Sequence, residues 1–263
     1  IQNELVDVSE DIDFLSVPRS ALHTTNVNHE VSRSDVGQPI ASFYGHDAIG
    51  IFQSTEEIAN HAQQEGAQPG DLIFRDVNED GVIDDEDRTF IGSPHPDFTY
   101  GITVGANYKA FDISLFFFGS EGSQVYDLTR YYGDFFNLSA YNRHERTLGA
   151  WTPENTGAEV PRLSLDDPNR NARPSSYFVQ DASFLKLRNL QIGYTLPSQI
   201  SERINLRVYA QAQNLFVITP YEGMDPEVGL QNHQSDNRNL DIGVDRGIYP
   251  PSRTFTLGVN IGL

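Results

Sequence analysis

The chain has 263 residues and no cysteine, with 18 Lys and Arg against 37 Asp and Glu, a formal charge of −19. That balance argues against a nucleic-acid partner, which needs basic patches to meet phosphate. The missing thiol excludes disulfide staples, thiolate zinc sites and a cysteine nucleophile.

Ile1 to Val8 reads as the end of a strand, and the first forty residues are otherwise polar and weakly patterned. A chain starting at Ile1 rather than Met is expected to be a mature form or a piece of something longer. Ser54 to Glu65 is the one helix candidate. Ser54 stands three residues before Glu57, as in a capping box, and Gly66 follows the end. Leu72 to Arg75 reads as a short strand.

Directly after it comes Asp76-Val-Asn78-Glu-Asp80-Gly81-Val82-Ile83-Asp84-Asp-Glu-Asp87. Counted from Asp76, oxygen side chains fall at positions 1, 3, 5, 9 and 12, with glycine at 6 and an apolar residue at 8. This is the spacing of a twelve-residue calcium loop. Alternate side chains converge as the chain wraps an ion, Gly81 permits the sharp turn, the Val82 carbonyl supplies position 7, and Ile83 anchors the loop inward. The ligands expected for Ca2+ are therefore Asp76, Asn78, Asp80, Val82, Asp84 and Asp87. Position 12 departs from the usual glutamate, an exchange that dockerin-type loops also make. No histidine or general base adjoins the set, so the expected role is structural. The alternative reading is an acidic turn that only resembles a site.

Beyond the loop, period-2 alternation becomes the dominant signal. Thr99 to Tyr108 alternates apolar with small or polar residues, and a tight turn around Lys109-Ala110 leads to Asp112–Gly119. Phe184 to Leu196 is a long strand stopped by Pro197. Asn205 to Phe216 and Phe255 to Leu263 alternate in the same way. About seven strands are expected in all, several of them long enough for tilted membrane strands of about 9–11 residues. The densest apolar run, Ile113 to Phe118, is far too short for a spanning helix, a limit that leaves membrane strands untouched.

The connections alternate in length. Turns near 109–111 and 197–203 are short, whereas 120–178 and 217–251 are long, and long structureless loops are uncommon in compact soluble domains. Short turns on one side and long loops on the other are the build of an outer-membrane barrel. The first long segment carries Tyr126, Tyr131, Tyr132, Phe135, Phe136, Tyr141 and Trp151, which either pack the loop or face a partner or substrate. The seven histidines show no ligand spacing and read as polar loop residues. Asp166-Asp167 reads as chance proximity rather than a glycosidase pair. Asn137-Leu-Ser139 matches a glycosylation sequon. No catalytic motif is present, and no enzyme activity is expected.

The order of motifs carries further information. Gly37-Gln-Pro-Ile-Ala-Ser-Phe-Tyr-Gly45 precedes the helix, and Pro69-Gly-Asp-Leu-Ile-Phe-Arg75 leads into the calcium-like loop. Pro96-Asp-Phe-Thr-Tyr-Gly101, Trp151-Thr-Pro-Glu-Asn155, Phe184-Leu-Lys-Leu-Arg-Asn-Leu190 and Gln213-Asn-Leu-Phe216 follow in turn, with Asp225-Pro-Glu227 last. Over residues 37–263 this series resembles the C-terminal part of the SusC/RagA family of TonB-dependent outer-membrane transporters. The resemblance implies an all-β fold: the last strands of a large antiparallel transmembrane β-barrel, with long extracellular loops and a short loop helix. One unit then spans 1–263. The plug, the TonB-contacting segment and the earlier strands would lie outside this sequence. It further implies a SusD-like surface lipoprotein as partner, TonB as energy source, glycans or peptides as cargo, and contact with membrane lipids. Counting back from a periplasmic C-terminus places the 76–87 loop outside the cell. Two competing readings are a secreted calcium-stabilised binding or adhesion module with a dockerin-like loop, and a glycan-degrading enzyme.

Overall fold

The computed structural model describes residues 4–7, 14–16, 30–136, 142–197, 205–229 and 242–262. Tyr141, the 137–139 sequon, Leu263, three of the histidines (His23, His29 and His233) and most of the expected 197–203 turn lie outside these residues. The elements in chain order are β1 (Leu15–Ser16), β2 (Ser32–Ser34), β3 (Ser42–Gly45), β4 (Ala48–Ile51), α1 (Thr55–Ala59), β5 (Leu72–Phe74) and β6 (Thr89–Gly92). Then follow β7 (Phe98–Tyr108), β8 (Phe111–Glu121), β9 (Gln124–Asp127), α2 (Leu128–Asp134), β10 (Val179–Asp181), β11 (Phe184–Thr195), β12 (Asn205–Ile218), β13 (Val244–Asp245) and β14 (Thr254–Gly262).

Five of these strands form one antiparallel sheet in the order β14-β12-β11-β8-β7. Their ends fall within two residues of the alternating stretches in the sequence. Register explains why the alternation is so clean. Ala106, Ile113, Ile192, Ala210 and Leu257 stand opposite one another across all five strands, as do Tyr108, Phe111, Tyr194, Val208 and Val259. The rung between them is Asn107, Asp112, Gly193, Tyr209 and Gly258. One face is therefore continuously apolar and the other largely polar, because successive side chains of a strand point to opposite faces. The apolar face is uncovered: Leu257 is 86% exposed, Ile261 66% and Ile102 50%. A soluble sheet buries such a face, whereas a membrane strand turns it to lipid.

A register slip preserves the two faces near the loop end. Leu187 stands opposite Phe117 and Phe216, but Asn189 stands opposite Phe116 and Gln213. Arg188 is thus one extra residue against β8, and β12 adds Asn214 and Leu215, with Asn214 at a φ of 51°. Such bulges are features of barrel walls. Here the slip keeps Leu187 and Leu190, which differ in parity, on the same apolar face.

Among the described residues the wall has five strands rather than about seven. Leu72–Phe74 pairs with β4 outside the large sheet, and residues 4–7 make only isolated bridges, Glu4 to Pro39 and Leu5 to Val36. The long loops are also not structureless. Their described parts give β9 and β13, which pair with β10, and this sheet joins the small sheets β1-β2-β3-β6 and β4-β5 of the preceding residues in a body beside the loop end of the wall. The buried apolar core lies there. Val31, Phe43, Tyr126, Leu128, Tyr131, Phe135, Phe178 and Val244 form its largest cluster. The loop aromatics Tyr126, Tyr131, Phe135 and Trp151 are all buried, so packing is what they do.

The helix is shorter than its pattern suggested. Ser54 caps it by accepting from the Glu57 amide at 3.1 Å, and Glu57 reaches back to the Gln53 amide at 2.6 Å instead of to Ser54. It stops at Ala59 because the following residues are claimed elsewhere. The Gln63 amide donates to the Gly81 carbonyl at 2.8 Å, and the Gln64 side chain bonds Leu72, Phe74 and Asn169.

Candidate functional site

The calcium-like loop grows directly out of β5. Leu72, Phe74 and Ile83 form a small buried cluster, so the position-8 residue anchors the loop as its spacing predicts. Besides its pairing with β4, β5 is held by side chains. Asn171 Oδ1 accepts from the Leu72 amide at 2.8 Å, Gln64 Oε1 accepts from Phe74 at 3.0 Å, and buried Asp71 pairs with Arg162 at 2.7 Å. Asp167, buried in the same network, accepts from the Asn171 and Ala172 amides. Asp167 is thus engaged in structural bonds.

Within the loop, Asp76 Oδ2 accepts from the Gly81 amide at 2.9 Å, and Gly81 takes a φ of 87° that disfavours any side chain. Asn78 Oδ1 accepts from Asp80 at 3.0 Å and Asp80 Oδ1 from Val82 at 2.9 Å. Asp84 Oδ1 accepts from Glu86 at 2.8 Å. Asp87 is fully buried; its Oδ1 accepts from Val77 at 2.7 Å and its Oδ2 from Asp84 at 2.9 Å. The loop's side-chain oxygens are thus turned to backbone amides. Among the described residues, no three His, Asp or Glu side chains converge as a metal-holding group. One oxygen stands out: Asp76 Oδ1 is buried and has no hydrogen-bond partner. That oxygen, with the lone pairs left on oxygens that already accept one bond, is what the loop could offer an ion.

His46 is the clearest departure from the sequence reading of the histidines. It is buried between β3 and β4, and its Nε2 lies 2.8 Å from the Asp84 carbonyl. Burial lowers its pKa, so the ring is neutral and Nε2–H donates to that carbonyl. His61 and His95 likewise bond the carbonyls of Phe74 and Ile40. These histidines fasten the loop body, a role that ligand spacing could not reveal.

The polar face of the wall is the second candidate site. At the short-turn end, Arg207 meets Asp112 at 2.6 Å across Gly193, where a Cβ would stand 2.3 Å from the guanidinium. Nearer the loops, buried Lys186 holds both oxygens of Asp225 at 2.7 and 2.8 Å and Glu227 at 2.6 Å, and Arg188 closes on Glu227. These ion pairs fasten residues 225–227 to the wall. The Ile113–Phe118 run breaks strict alternation, which brings Phe116 and Phe118 to this polar face. Phe118 packs on Phe184 with ring centroids 5.9 Å apart. A cavity of about 200 Å³ opens beside them, lined by Pro94, Pro96, Phe118, Phe184, Pro226 and Glu227.

Deeper in the loop body, Asp127 and Asp245 are register partners on β9 and β13 and both are buried. Asp127 accepts from Thr129 and Gln180, while Asp245 accepts from the Tyr221 hydroxyl. Burial holds the Asp127 pKa above the usual aspartate value, against the lowering pull of the Thr129 bonds and Arg130.

A sheet with one uncovered apolar face, one polar face carrying ion pairs, and outer strands that pair on one side only defines a class. It is a segment of a transmembrane β-barrel wall, since a barrel removes such edges by closing with further strands.

Comparison with known proteins identifies the family. The chain is 37% identical over 264 residues to TonB-dependent receptor P3 of Formosa agariphila, covering 99% of this chain and 25% of that protein. It is 30% identical over 238 residues to TonB-dependent receptor SusC of Bacteroides thetaiotaomicron, covering 89% of this chain and 20% of SusC. The fold matches a chain of the RagAB peptide transporter with a TM-score of 0.73 at 23% identity, over 98% of this chain and 25% of that one. No protein-family model matches. The chain belongs to the SusC/RagA family of TonB-dependent outer-membrane receptors, as a C-terminal part of the barrel. It spans about a quarter of the length of the curated relatives it matches. These curated relatives are receptors, which supports a role other than catalysis.

Proposed function

We propose that this chain forms part of the wall and outer loops of a TonB-dependent importer that takes up glycans or peptides with a SusD-like lipoprotein. The observation that carries the reading is the two-faced wall, with apolar rungs five strands wide on one side and ion pairs and polar rungs on the other. The polar face would line the lumen. The cavity beside Phe118 and Phe184 would then open onto the route of the cargo. The loop body, with its own core, would lie at the extracellular end and the 109–111 turn at the periplasmic end. TonB and the lipoprotein would act through the whole transporter. The test is uptake of labelled oligosaccharides and oligopeptides by cells carrying the full-length transporter with and without its lipoprotein. Uptake of neither class in cells that display the folded barrel would contradict the reading.

A Ca2+ ion in the 76–87 loop belongs to the same proposal. Asp76, Asn78, Asp80, Val82, Asp84 and Asp87 would hold it, and it would stiffen the junction of α1 and β5. The free, buried Asp76 Oδ1 supports this. Extracellular modules function with weak sites, at dissociation constants of about 10⁻⁴–10⁻³ M. Calorimetric titration of the full-length transporter with Ca2+ tests it. No heat of binding beyond that of an Asp76→Ala variant would sink it.

A further inference from the structure

The uncovered apolar face is not uniform. A groove of about 470 Å³ runs along β12, floored by Ala210 and walled by Phe111, Ile192 and Tyr194 on one side and by Leu257 and Val259 on the other. The register explains it. Ala210 stands between Ile192 and Leu257, so a small side chain separates two large ones on the same face. The groove reaches the short-turn end of the wall, where the Phe111 and Tyr194 rings lie 4.8 Å apart. Tyr108, the register partner of Phe111, continues that aromatic edge and is 71% exposed. The Lys109 ammonium lies 5.3 Å from the Tyr108 ring centroid, on this same outer face. The wall therefore presents an apolar furrow ending in an aromatic rim topped by an exposed cation.

The geometry points to a bound phospholipid of the inner leaflet: one acyl chain in the groove over Ala210, and the phosphate at Lys109. Hydrocarbon is the medium that meets this face of a barrel wall, so an acyl chain is the apolar group on hand to fill the groove. Amphipathic rings settle at the headgroup level, and a lysine beside them places its charge where a lipid phosphate lies. The charge complementarity selects the phosphate end, and the direction of the groove selects which end of the lipid points inward. The assignment to the inner leaflet rests on the orientation proposed above, with the 109–111 turn in the periplasm.

Native mass spectrometry of the full-length transporter in detergent tests the site, with phosphatidylglycerol titrated as the probe and lipid A run in parallel. One phosphatidylglycerol should bind more tightly than the rest. Its apparent affinity should fall about tenfold or more in Ala210→Phe, which fills the groove, and measurably in Lys109→Gln. Ile102→Phe, on the same face but away from the groove, should leave it unchanged and guards against misfolding. Equal affinity in all four proteins would overturn the site, and preference for lipid A would overturn the phospholipid assignment. Orientation is read separately. A Lys109→Cys variant, in a segment otherwise free of cysteine, should resist a membrane-impermeant maleimide added to intact cells. Labelling from outside would overturn both the orientation and the inner-leaflet assignment, while leaving the existence of the groove to the lipid titration.

Discussion

Lys186 joins wall and loop, and its removal gives the sharpest energetic prediction. Its side chain is 4% exposed and that of Asp225 is 6%, with Glu227 as a second partner at 2.6 Å. Breaking a buried pair by deleting one partner costs about 3–5 kcal/mol, because the surviving charge stays buried. Lys186→Met leaves Asp225 with no cation, while Glu227 keeps Arg188. Residues 225–227 should then open from the wall far more often. At about 1.4 kcal/mol per decade, amide exchange of the 221–228 segment should speed up by between about a hundredfold and about four thousandfold. Hydrogen–deuterium exchange of the full-length transporter measures this. Removing both charges, in Lys186→Met with Asp225→Leu, should restore most of the protection, since apolar replacement of a whole buried pair is often neutral. Unchanged protection in the single variant, or equal loss in single and double, would refute the reasoning.

Three further outcomes follow from the loop body. Gly70 has a φ of 92°, and a Cβ there would stand 2.3 Å from the Trp151 ring, so Gly70→Ala should destabilise this region by about 1–3 kcal/mol, read as faster exchange around 68–74 and 150–162. Asp127 has a raised pKa through burial, so its contribution to stability is present in acid and is lost as pH rises through that raised value. Exchange around β9 should therefore quicken between acid and neutral pH more in the wild type than in Asp127→Asn; identical slopes would refute this. Chelation of divalent ions should raise exchange in 76–87 of the wild type and leave Asp76→Ala unaffected.

The wall was legible in the sequence because alternation is a local signal. Each strand writes its two faces into successive residues, and the pairing of Ala106, Ile113, Ile192, Ala210 and Leu257 needed only the turn positions to fix it. The loop body was not legible, because its contacts join distant segments. The Leu72 amide is held by Asn171, and the Gln64 side chain by Asn169, about a hundred residues away in each case. No local pattern announces such a bond. The density of aromatics in 120–178 was the available signal, and it meant a core. Within the calcium-like loop, the inward Ile83 and the turn at Gly81 were anticipated. The burial of Asp87 on two backbone amides and the tie from His46 to Asp84 emerged only from the packing. The helix pattern overran its true end because Gln63 and Gln64 are claimed by Gly81, Leu72 and Phe74.

The central claim is that the five-stranded sheet is a membrane wall with lipid on one face and water on the other. A single-cysteine scan along β12 of the full-length transporter in bilayers tests it most directly, since this segment brings no cysteine of its own. Spin labels at 206, 208, 210 and 212 should be relaxed by oxygen and shielded from a water-soluble nickel reagent. Labels at 205, 207, 209, 211 and 213 should show the reverse. Equal access of the water-soluble reagent to both sets would contradict the account.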